Sequence, residues 1–255
     1  MNLLRAWTWL LIFSLRRLFW STQTLMVAFP LAICGVFLWR RDYAAIEPVA
    51  HAFDRFSQEF VLMVLASFLV PICTLAYATT SVSADREDQT LLFLLVRPLP
   101  RPLVLLAKLF ATLPIVLGLV IGSFYLFCRA AGPAGELAFV LYWSPLALMA
   151  IAYAGLFHLF AVTFRHATII ALLYSLFMEF FLGNMPGIIK RVAVSFYGRS
   201  IIFDLGADHG FKPPDPQWFV PLSAGPARQA LLWIALGAAL LAAWIFQRRE
   251  YRDLS

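Results

Sequence analysis

The sequence predicts an all-α integral membrane protein with about six transmembrane helices. Hydrophobic residues make up 62% of its 255 residues and charged residues only 13%, whereas ordinary soluble domains carry roughly 25% charged residues. A helix needs about 20 apolar residues to span a hydrocarbon core of about 30 Å, and about six such runs occur along the chain. The connections between most of them are short, so we expect a single transmembrane domain over residues 1–255.

The N-terminal run, residues 1–20, differs from the others because arginines interrupt it. Apolar residues recur there at helical spacing, while Arg5 and Arg16 share another face. The apolar positions are Leu4, Trp7, Leu11, Leu15 and Leu18. This amphipathic pattern is typical of a helix that lies in the membrane interface. A ragged start to the first span and a cleaved signal peptide are the alternatives, although no small-residue cleavage site follows.

Six predicted spans follow in order. They cover residues 22–39, 60–82, 103–128, 137–164, 167–186 and 228–247. Arg40 and Arg41 anchor the end of the first span, and Pro71 should kink the second because proline lacks a backbone N–H. Small residues in the third and last spans permit close helix approach. They are Gly118, Gly122, Ser123, Ala235, Gly237, Ala238 and Ala239.

A longer connection, residues 187–227, precedes the last span. It is rich in Gly and Pro and carries Trp218 and Phe219, which is typical of a loop that rests on the membrane surface. We expect this loop on the extracytoplasmic side, because Lys and Arg near the span ends modestly favour cytoplasmic termini. The net charge of +6 is spread over the span ends. That distribution favours contact with anionic lipid headgroups and argues against nucleic acid as a partner.

Two polar clusters outside the predicted spans combine acidic and histidine side chains. They comprise Glu47, His51 and Asp54 in one cluster and Asp204, Asp208 and His209 in the other. These residue types can bind a metal, but residue types alone do not define a closed site. Polar side chains in extramembrane loops are usually solvated, so we predict neither a bound metal nor a cofactor.

Two ionisable residues fall inside predicted spans. Glu179 lies in the fifth span, where a carboxylate at membrane depth costs on the order of 2.5 to 3.5 kcal/mol on insertion scales. We therefore predict that Glu179 lines a pathway or a subunit interface. The alternative is a protonated or snorkelling side chain near the span end. His158 in the fourth span is a candidate proton-relay residue, although such a group more often hydrogen-bonds to a neighbouring helix.

The sequence shows no machinery for nucleotide binding. A phosphate-binding loop needs glycines followed by a Lys and a Ser or Thr, because backbone N–H groups and the ammonium converge on the phosphates. The chain contains no Gly-Lys pair. Any active transport would therefore draw its energy from a partner chain or an ion gradient.

The most informative segment covers residues 83–108 and reads SADREDQTLLFLLVRPLPRPLVLLAK. Four consecutive charged residues, 85–88, precede Gln89 and Thr90, and an apolar stretch then ends at Arg97 and a Pro-rich turn. A short helix with an acidic start, placed between two spans, would present a docking surface at the membrane face. A solvated loop is the alternative interpretation.

This segment resembles the permease subunits of ABC transporters of the ABC-2 type. In that family, acidic residues between the second and third spans are followed by Gln or Gly, Thr, leucines, an Arg-Pro pair, a further Arg and a Lys. The matching residues here are Glu87, Gln89, Thr90, Leu91, Leu94, Leu95, Arg97, Pro98, Arg101 and Lys108. Gln89 stands where Gly is frequent in the family, and outside the segment the likeness is one of architecture only.

The resemblance implies that the chain is the permease subunit of an ATP-driven exporter in the inner (plasma) membrane, with both termini cytoplasmic. It implies a coupling segment, residues 83–102, that contacts a separate ATPase subunit. The implied contact residues are Asp85, Arg86, Glu87, Asp88, Gln89, Thr90, Arg97 and Arg101. Two permease subunits, identical or different, would enclose the pathway, and ATP hydrolysis would belong to the partner. A secondary transporter and an integral membrane enzyme are the alternative functions.

Overall fold

The computed structural model describes residues 3–41, 43, 48–87, 100–181, 183, 189–213 and 219–248. Every regular element within these ranges is helical. Five of the described helices are long and apolar enough to cross a membrane. The prediction of an all-α membrane protein is therefore confirmed, whereas the number of six spans stays a prediction.

The helices follow one another in a simple order. They are α1 (Leu3–Phe19), α2 (Thr22–Arg41), α3 (Val49–Arg55), π1 (Phe56–Leu69), α4 (Val70–Glu87), α5 (Arg101–Ala130), α6 (Pro133–Thr163), α7 (Ala167–Tyr174), π2 (Ser175–Phe181), α8 (Val194–Gly206) and α9 (Ala224–Arg248). Short 3₁₀ turns, Ile189–Val192 and Ala207–His209, flank α8. The first, third, fourth and last predicted spans each fall on one helix: α2, α5, α6 and α9.

The second span begins earlier than the sequence predicts, because α3, π1 and α4 form one continuous helix from residue 49. The early start buries Phe53, which stacks on Tyr142 of α6. In π1 the backbone hydrogen bonds reach five residues back, as from the Val70 N–H to the Leu65 carbonyl. Pro71 follows at once and supplies no N–H of its own. The π-helical segment therefore ends directly before Pro71, and the predicted kink at Pro71 stays a prediction.

The region after α6 departs most from the prediction. α7 and π2 cover only Ala167–Phe181, and residues 182 and 184–186 of the fifth predicted span lie outside the described part. The expected surface loop at 187–227 contains a buried helix, α8, which packs on π1, α6 and α9. Gly198 permits this close packing, because a Cβ there would collide with the Met149 side chain. The expectation of a surface loop is wrong for residues 194–206.

The first helix, α1, and the C-terminal part of the last helix, α9, lie at the same end of the bundle. Leu10 of α1, Val82 of α4, Val104 of α5 and Phe246 of α9 are buried in one apolar cluster there. Trp7 of α1 also donates its indole N–H to the main-chain carbonyl of Leu103 at 3.1 Å. The helices that flank residues 88–100 therefore lie at the same end as α1 and the end of α9.

α1 has two different faces. Trp7, Leu10 and Leu18 face the bundle, whereas Trp9 and Ile12 are exposed. The exposed apolar side chains accord with a helix in contact with lipid. The position of α1 in the membrane interface stays a prediction.

The opposite end of the bundle is held by polar contacts. The Tyr43 hydroxyl donates to Glu59 Oε2 at 3.0 Å, and the Arg41 guanidinium lies 3.3 Å from the same oxygen. Burial and this bond to the Glu59 carboxylate raise the pKa of Tyr43 to about 12. Arg129 of α5 and Glu136 of α6 form an exposed ion pair at 2.9 Å at the turn between their helices.

Candidate functional site

The predicted coupling segment lies largely outside the described residues. Asp88, Gln89, Thr90 and Arg97 belong to the part that is not described. The backbone of α4 continues as a helix through Asp85, Arg86 and Glu87, and α5 begins at Arg101, whose side chain is exposed. Pro102 stands in the first turn of α5, where a missing N–H costs no intrahelical bond. The structure thus places the two ends of the segment and leaves its contact residues as predictions.

Lys108 joins the two helices that flank the segment. Its ammonium is buried and donates to the main-chain carbonyl of Ser81, with Nζ 2.6 Å from the oxygen. A buried ammonium is costly unless it is paired, so this bond favours an arrangement in which the end of α4 stays beside the start of α5. Lys108 entered the sequence analysis only as a motif position, and the spacing of the motif gave no sign of its partner.

His158 belongs to α6 and extends this contact to a third helix. Its side chain is buried. Its Nδ1 lies 2.8 Å from the Ala154 carbonyl, and its Nε2 lies 3.0 Å from the Ser81 hydroxyl. Because a carbonyl can only accept, Nδ1 carries the proton. In the neutral ring Nε2 is an acceptor for the single proton of the Ser81 hydroxyl, which also lies 2.9 Å from the Ala78 carbonyl. We call Ser81, Lys108 and His158 the Lys108 cluster. His158 thus bonds to a neighbouring helix, and its role as a proton relay stays a prediction.

Glu179 is fully buried and caps the N-terminus of α8. Its Oε1 accepts from the Val194 N–H at 3.0 Å, and its Oε2 accepts from the Ser195 N–H at 2.9 Å. The first N–H groups of a helix have no intrahelical partner and carry partial positive charge. The carboxylate therefore satisfies two such donors at once. The sequence does not predict this contact, because the Gly and Pro content of residues 187–227 indicates a surface loop.

Glu179 has three further polar neighbours. The hydroxyls of Tyr153 and Tyr174 and the guanidinium of Arg199 all interact electrostatically with its carboxylate. The Arg199 guanidinium also donates to the Ser67 hydroxyl. We call these five residues the Glu179 cluster. Both π-helical segments contribute to it, Ser67 from π1 and Glu179 from π2, and π-helical turns occur frequently at functional sites.

The Glu179 cluster lies at mid-depth in the bundle. Tyr153 stands far from both ends of α6, and Ser67 stands in the middle of the continuous helix of α3, π1 and α4. From this depth α8 continues to Gly206, which lies beside the Tyr142 hydroxyl nearer the start of α6. α8 therefore crosses only about half of the bundle, with its N-terminus in the protein interior. Discontinuous helices of this kind form ion and substrate sites in transporters.

Sequence reasoning found Glu179 and missed the other four residues of this cluster, of which Arg199 is the charged one. An arginine in a presumed surface loop attracts no notice, whereas this one is buried at mid-depth. The available signal was the largely apolar run at 194–206, VSFYGRSIIFDLG. That run is too short for a span but long enough for a helix inside a bundle.

Neither predicted polar cluster forms a metal site among the described residues. Glu47 is not described, and the side chains of His51 and Asp54 are at least partly exposed. Asp204 caps α9 by accepting the Ala224 N–H at 2.9 Å. The rings of His209 and Phe53 pack in a T-shaped arrangement. These contacts give Asp204 and His209 structural roles.

No protein-family model matches this chain, and no curated protein matches it either. The resemblance to ABC-2 type permeases therefore rests on residues 83–108 alone.

Proposed function

We propose that this chain is the permease subunit of an ATP-driven ABC exporter of the ABC-2 type. In this proposal two permease subunits enclose the pathway in the inner (plasma) membrane, with their termini in the cytoplasm. A separate ATPase subunit binds and hydrolyses ATP. The observation that carries the proposal is the sequence of residues 83–108. Its flanking helices are tied together by Lys108 at the end of the bundle where α1 and α9 also meet.

The Lys108 cluster offers a physical route for coupling. A force on residues 88–100 acts on the end of α4 and the start of α5, which the bond from Lys108 to Ser81 joins. The contact between Ser81 and His158 extends this connection to α6. Closure of an ATPase pair would then move three packed helices together, as in rigid-body switching. As these helices move, the pathway between the two subunits would change the side of the membrane to which it opens.

Charge reversal in the coupling segment tests this proposal. We expect an ATPase to co-purify with the tagged wild-type chain from its native membranes. Glu87→Lys combined with Arg101→Glu should reduce the co-purifying ATPase by roughly tenfold, because reversed charges repel the surface that the native charges attract. The measurement is ATPase activity and mass-spectrometric identification of the co-purified chain.

A matched control lies at the other end of α5. Arg129→Glu combined with Glu136→Arg reverses an exposed pair while preserving its attraction, and it should leave the ATPase bound. The proposal fails if no ATPase accompanies the wild-type chain, or if both double variants lose it equally.

The Glu179 cluster favours a second candidate function, an ion-coupled secondary transporter. A buried carboxylate and a buried arginine meet at mid-depth, at the N-terminus of a half-length helix, which is where such carriers bind ions and substrates. Extrusion of dyes from vesicles that contain the chain but no ATPase subunit distinguishes the two functions. Extrusion driven by a pH gradient without ATP would support the carrier.

A further inference from the structure

Two buried hydroxyls beside Glu179 have no hydrogen-bond partner among the described residues. They belong to Ser175 of π2, which is 6% exposed, and to Ser195 of α8, which is fully buried. Burying a hydroxyl without a partner is unfavourable, and an unsatisfied buried group in a native protein commonly marks a bound water or ion. These two hydroxyls therefore point to a small ligand inside the bundle.

Buried hydroxyls elsewhere in the bundle bond to their own helix. Thr74, Thr112 and Ser200 each donate to the main-chain carbonyl four residues earlier, at 2.8 Å. Ser195 stands in the first turn of α8, so the carbonyl four residues before it precedes the helix. Ser175 is the first residue of π2, and its hydroxyl makes no bond of this kind. Both hydroxyls are therefore available to a ligand.

The two hydroxyls lie next to the Glu179 carboxylate. The Ser195 N–H donates to Glu179 Oε2 at 2.9 Å, and covalent geometry keeps a serine hydroxyl within about 4 Å of its own nitrogen. Ser175 precedes Glu179 by four residues in π2. Both side chains are buried, whereas residues 176–177 between them are exposed, so Ser175 and Glu179 share the interior face. A ligand here can therefore contact the carboxylate as well as a hydroxyl.

The charges around this position determine what can bind there. The Arg199 guanidinium interacts with the carboxylate, and the N-terminus of α8 carries partial positive charge. Both disfavour a metal cation. An anion is disfavoured as well, because Glu179 itself already accepts the N–H groups of Val194 and Ser195. The ligand is therefore a small neutral molecule that both donates and accepts hydrogen bonds.

We propose that Glu179, Ser175 and Ser195 bind water in the interior of the bundle. An ionised carboxylate offers about four acceptor sites, and the N–H groups of α8 take two of them. A water molecule can donate to the carboxylate and accept from a serine hydroxyl, and buried waters typically make about three such bonds. This water places exchangeable protons at mid-depth, whichever of the two proposed functions the chain performs.

Radiolytic labelling of the intact protein in nanodiscs tests this inference. A short X-ray pulse converts water into hydroxyl radicals, which add oxygen to the nearest side chains, and mass spectrometry locates the products. Oxygen-labelled water shows that the added oxygen came from water. Tyr153 is fully buried and lies beside the Glu179 carboxylate. Corrected for intrinsic reactivity, it should be labelled at least about fivefold faster than Phe124, because a bound water lies near it. Phe124 is fully buried against Phe139.

Serine substitutions connect the labelling to this position. Ser175→Ala with Ser195→Ala removes both hydroxyls and should lower Tyr153 labelling about threefold, because a water with fewer partners is bound less tightly. Ser200→Ala is the matched control. Ser200 is fully buried on the same helix, and its hydroxyl bonds to the Phe196 carbonyl, so its removal should leave Tyr153 labelling unchanged.

Four outcomes overturn the inference. The first is wild-type labelling of Tyr153 no faster than that of Phe124, and this measurement decides the question alone if the double variant does not fold. The second is unchanged labelling in a folded double variant, which would place the water elsewhere. The third is an equal fall in Ser200→Ala, which would show a general loosening. The fourth is a loss of labelling when millimolar sodium chloride replaces choline chloride, which would identify a cation as the ligand.

Discussion

Glu179 places a carboxylate at a depth where a charge is unfavourable, and the neighbouring polar groups compensate for this. Both carboxylate oxygens accept backbone N–H groups of α8, and Arg199 lies near on the same helix. Without the carboxylate, the first N–H groups of α8 would face the protein interior unpaired, which is unfavourable by about 1 to 3 kcal/mol for each group. The residue therefore stabilises α8 whatever the chain transports.

Glu179→Gln is expected to lower stability by about 2 kcal/mol, since a neutral amide keeps one acceptor oxygen and loses the charge-assisted bonds. The measurement is the thermal midpoint of unfolding in detergent. We also expect the variant to assemble and to change transport or ATPase stimulation. Unchanged activity would leave Glu179 with the capping role alone.

Glu136→Gln is the matched control for this prediction. Glu136 makes an ion pair with Arg129, and both side chains are 62% exposed. Because exposed pairs contribute about 0 to 1 kcal/mol, this variant should unfold near the wild-type midpoint. Equal shifts for Glu136→Gln and Glu179→Gln would contradict the assignment of Glu179 as a cap.

At the scale of helices, α6 and α9 pack tightly against each other at one glycine, Gly155. A Cβ at Gly155 would lie 2.8 Å from the backbone oxygen of Ala235, closer than side-chain carbons come to backbone atoms. Small residues at such crossings let the backbones of membrane helices pack directly. Gly155 therefore sets the distance between the two helices.

Gly155→Ala is expected to destabilise the protein by about 1 to 3 kcal/mol, because the added methyl group forces the two helices apart. Intrinsic helix propensity alone would predict the opposite, because it favours Ala over Gly in a helix by about 1 kcal/mol. Gly237→Ala in α9 is the control, because a Cβ there meets nothing within 4 Å. Its midpoint should stay equal or rise, and a fall as large as that of Gly155→Ala would refute the argument from contact.

The same crossing shows what the sequence could predict about the elements. Apolar length predicted α2, α5, α6 and α9, and composition predicted that small residues would lie at crossings. Ala235 is one of these residues, whereas a Cβ at Gly118, Gly122 or Gly237 would meet nothing nearby. Which small residue faces a neighbour depends on helix rotation, and rotation is set by tertiary packing that a single sequence does not show.

α8 and the Glu179 cluster were beyond sequence reasoning for a related reason. The run at 194–206 is too short to span a bilayer, and the glycines and prolines around it indicated a loop. Its burial depends on partners far away in the chain, such as Ser67 in π1 and Met149 in α6. Glu179 and His158 were found by sequence because ionisable residues in apolar runs are rare, but their partners were not.

At the scale of the whole molecule, one end of the bundle combines several features. α1, the end of α4, the start of α5 and the end of α9 share an apolar cluster there, and the coupling segment connects two of these helices. A motion that enters between α4 and α5 can therefore reach the rest of the bundle through the contacts of these two helices with each other and with α6. The bond between Lys108 and Ser81 is a polar contact that joins these two helices beside the segment.

Lys108→Met tests this arrangement and presupposes the proposed exporter function. The substitution keeps an unbranched side chain, one atom shorter than lysine, and removes the ammonium, so the Ser81 carbonyl loses this donor. We expect the ATPase to remain bound, because the charged segment is unchanged, while stimulation of its activity by the permease falls about tenfold as coupling through α4 and α5 weakens. The measurements are co-purification, basal ATPase activity and stimulated activity in nanodiscs.

Lys212→Met, which alters an exposed lysine, serves as the control and should match the wild-type chain in all three measurements. A lower unfolding midpoint with normal stimulation would reduce Lys108 to a packing residue, because structural loss alone should not change the ratio of stimulated to basal activity. Loss of ATPase binding would instead mean that the α4–α5 contact shapes the docking surface itself. Only the combination of retained binding and lost stimulation identifies Lys108 as the link by which movement of the segment reaches the bundle.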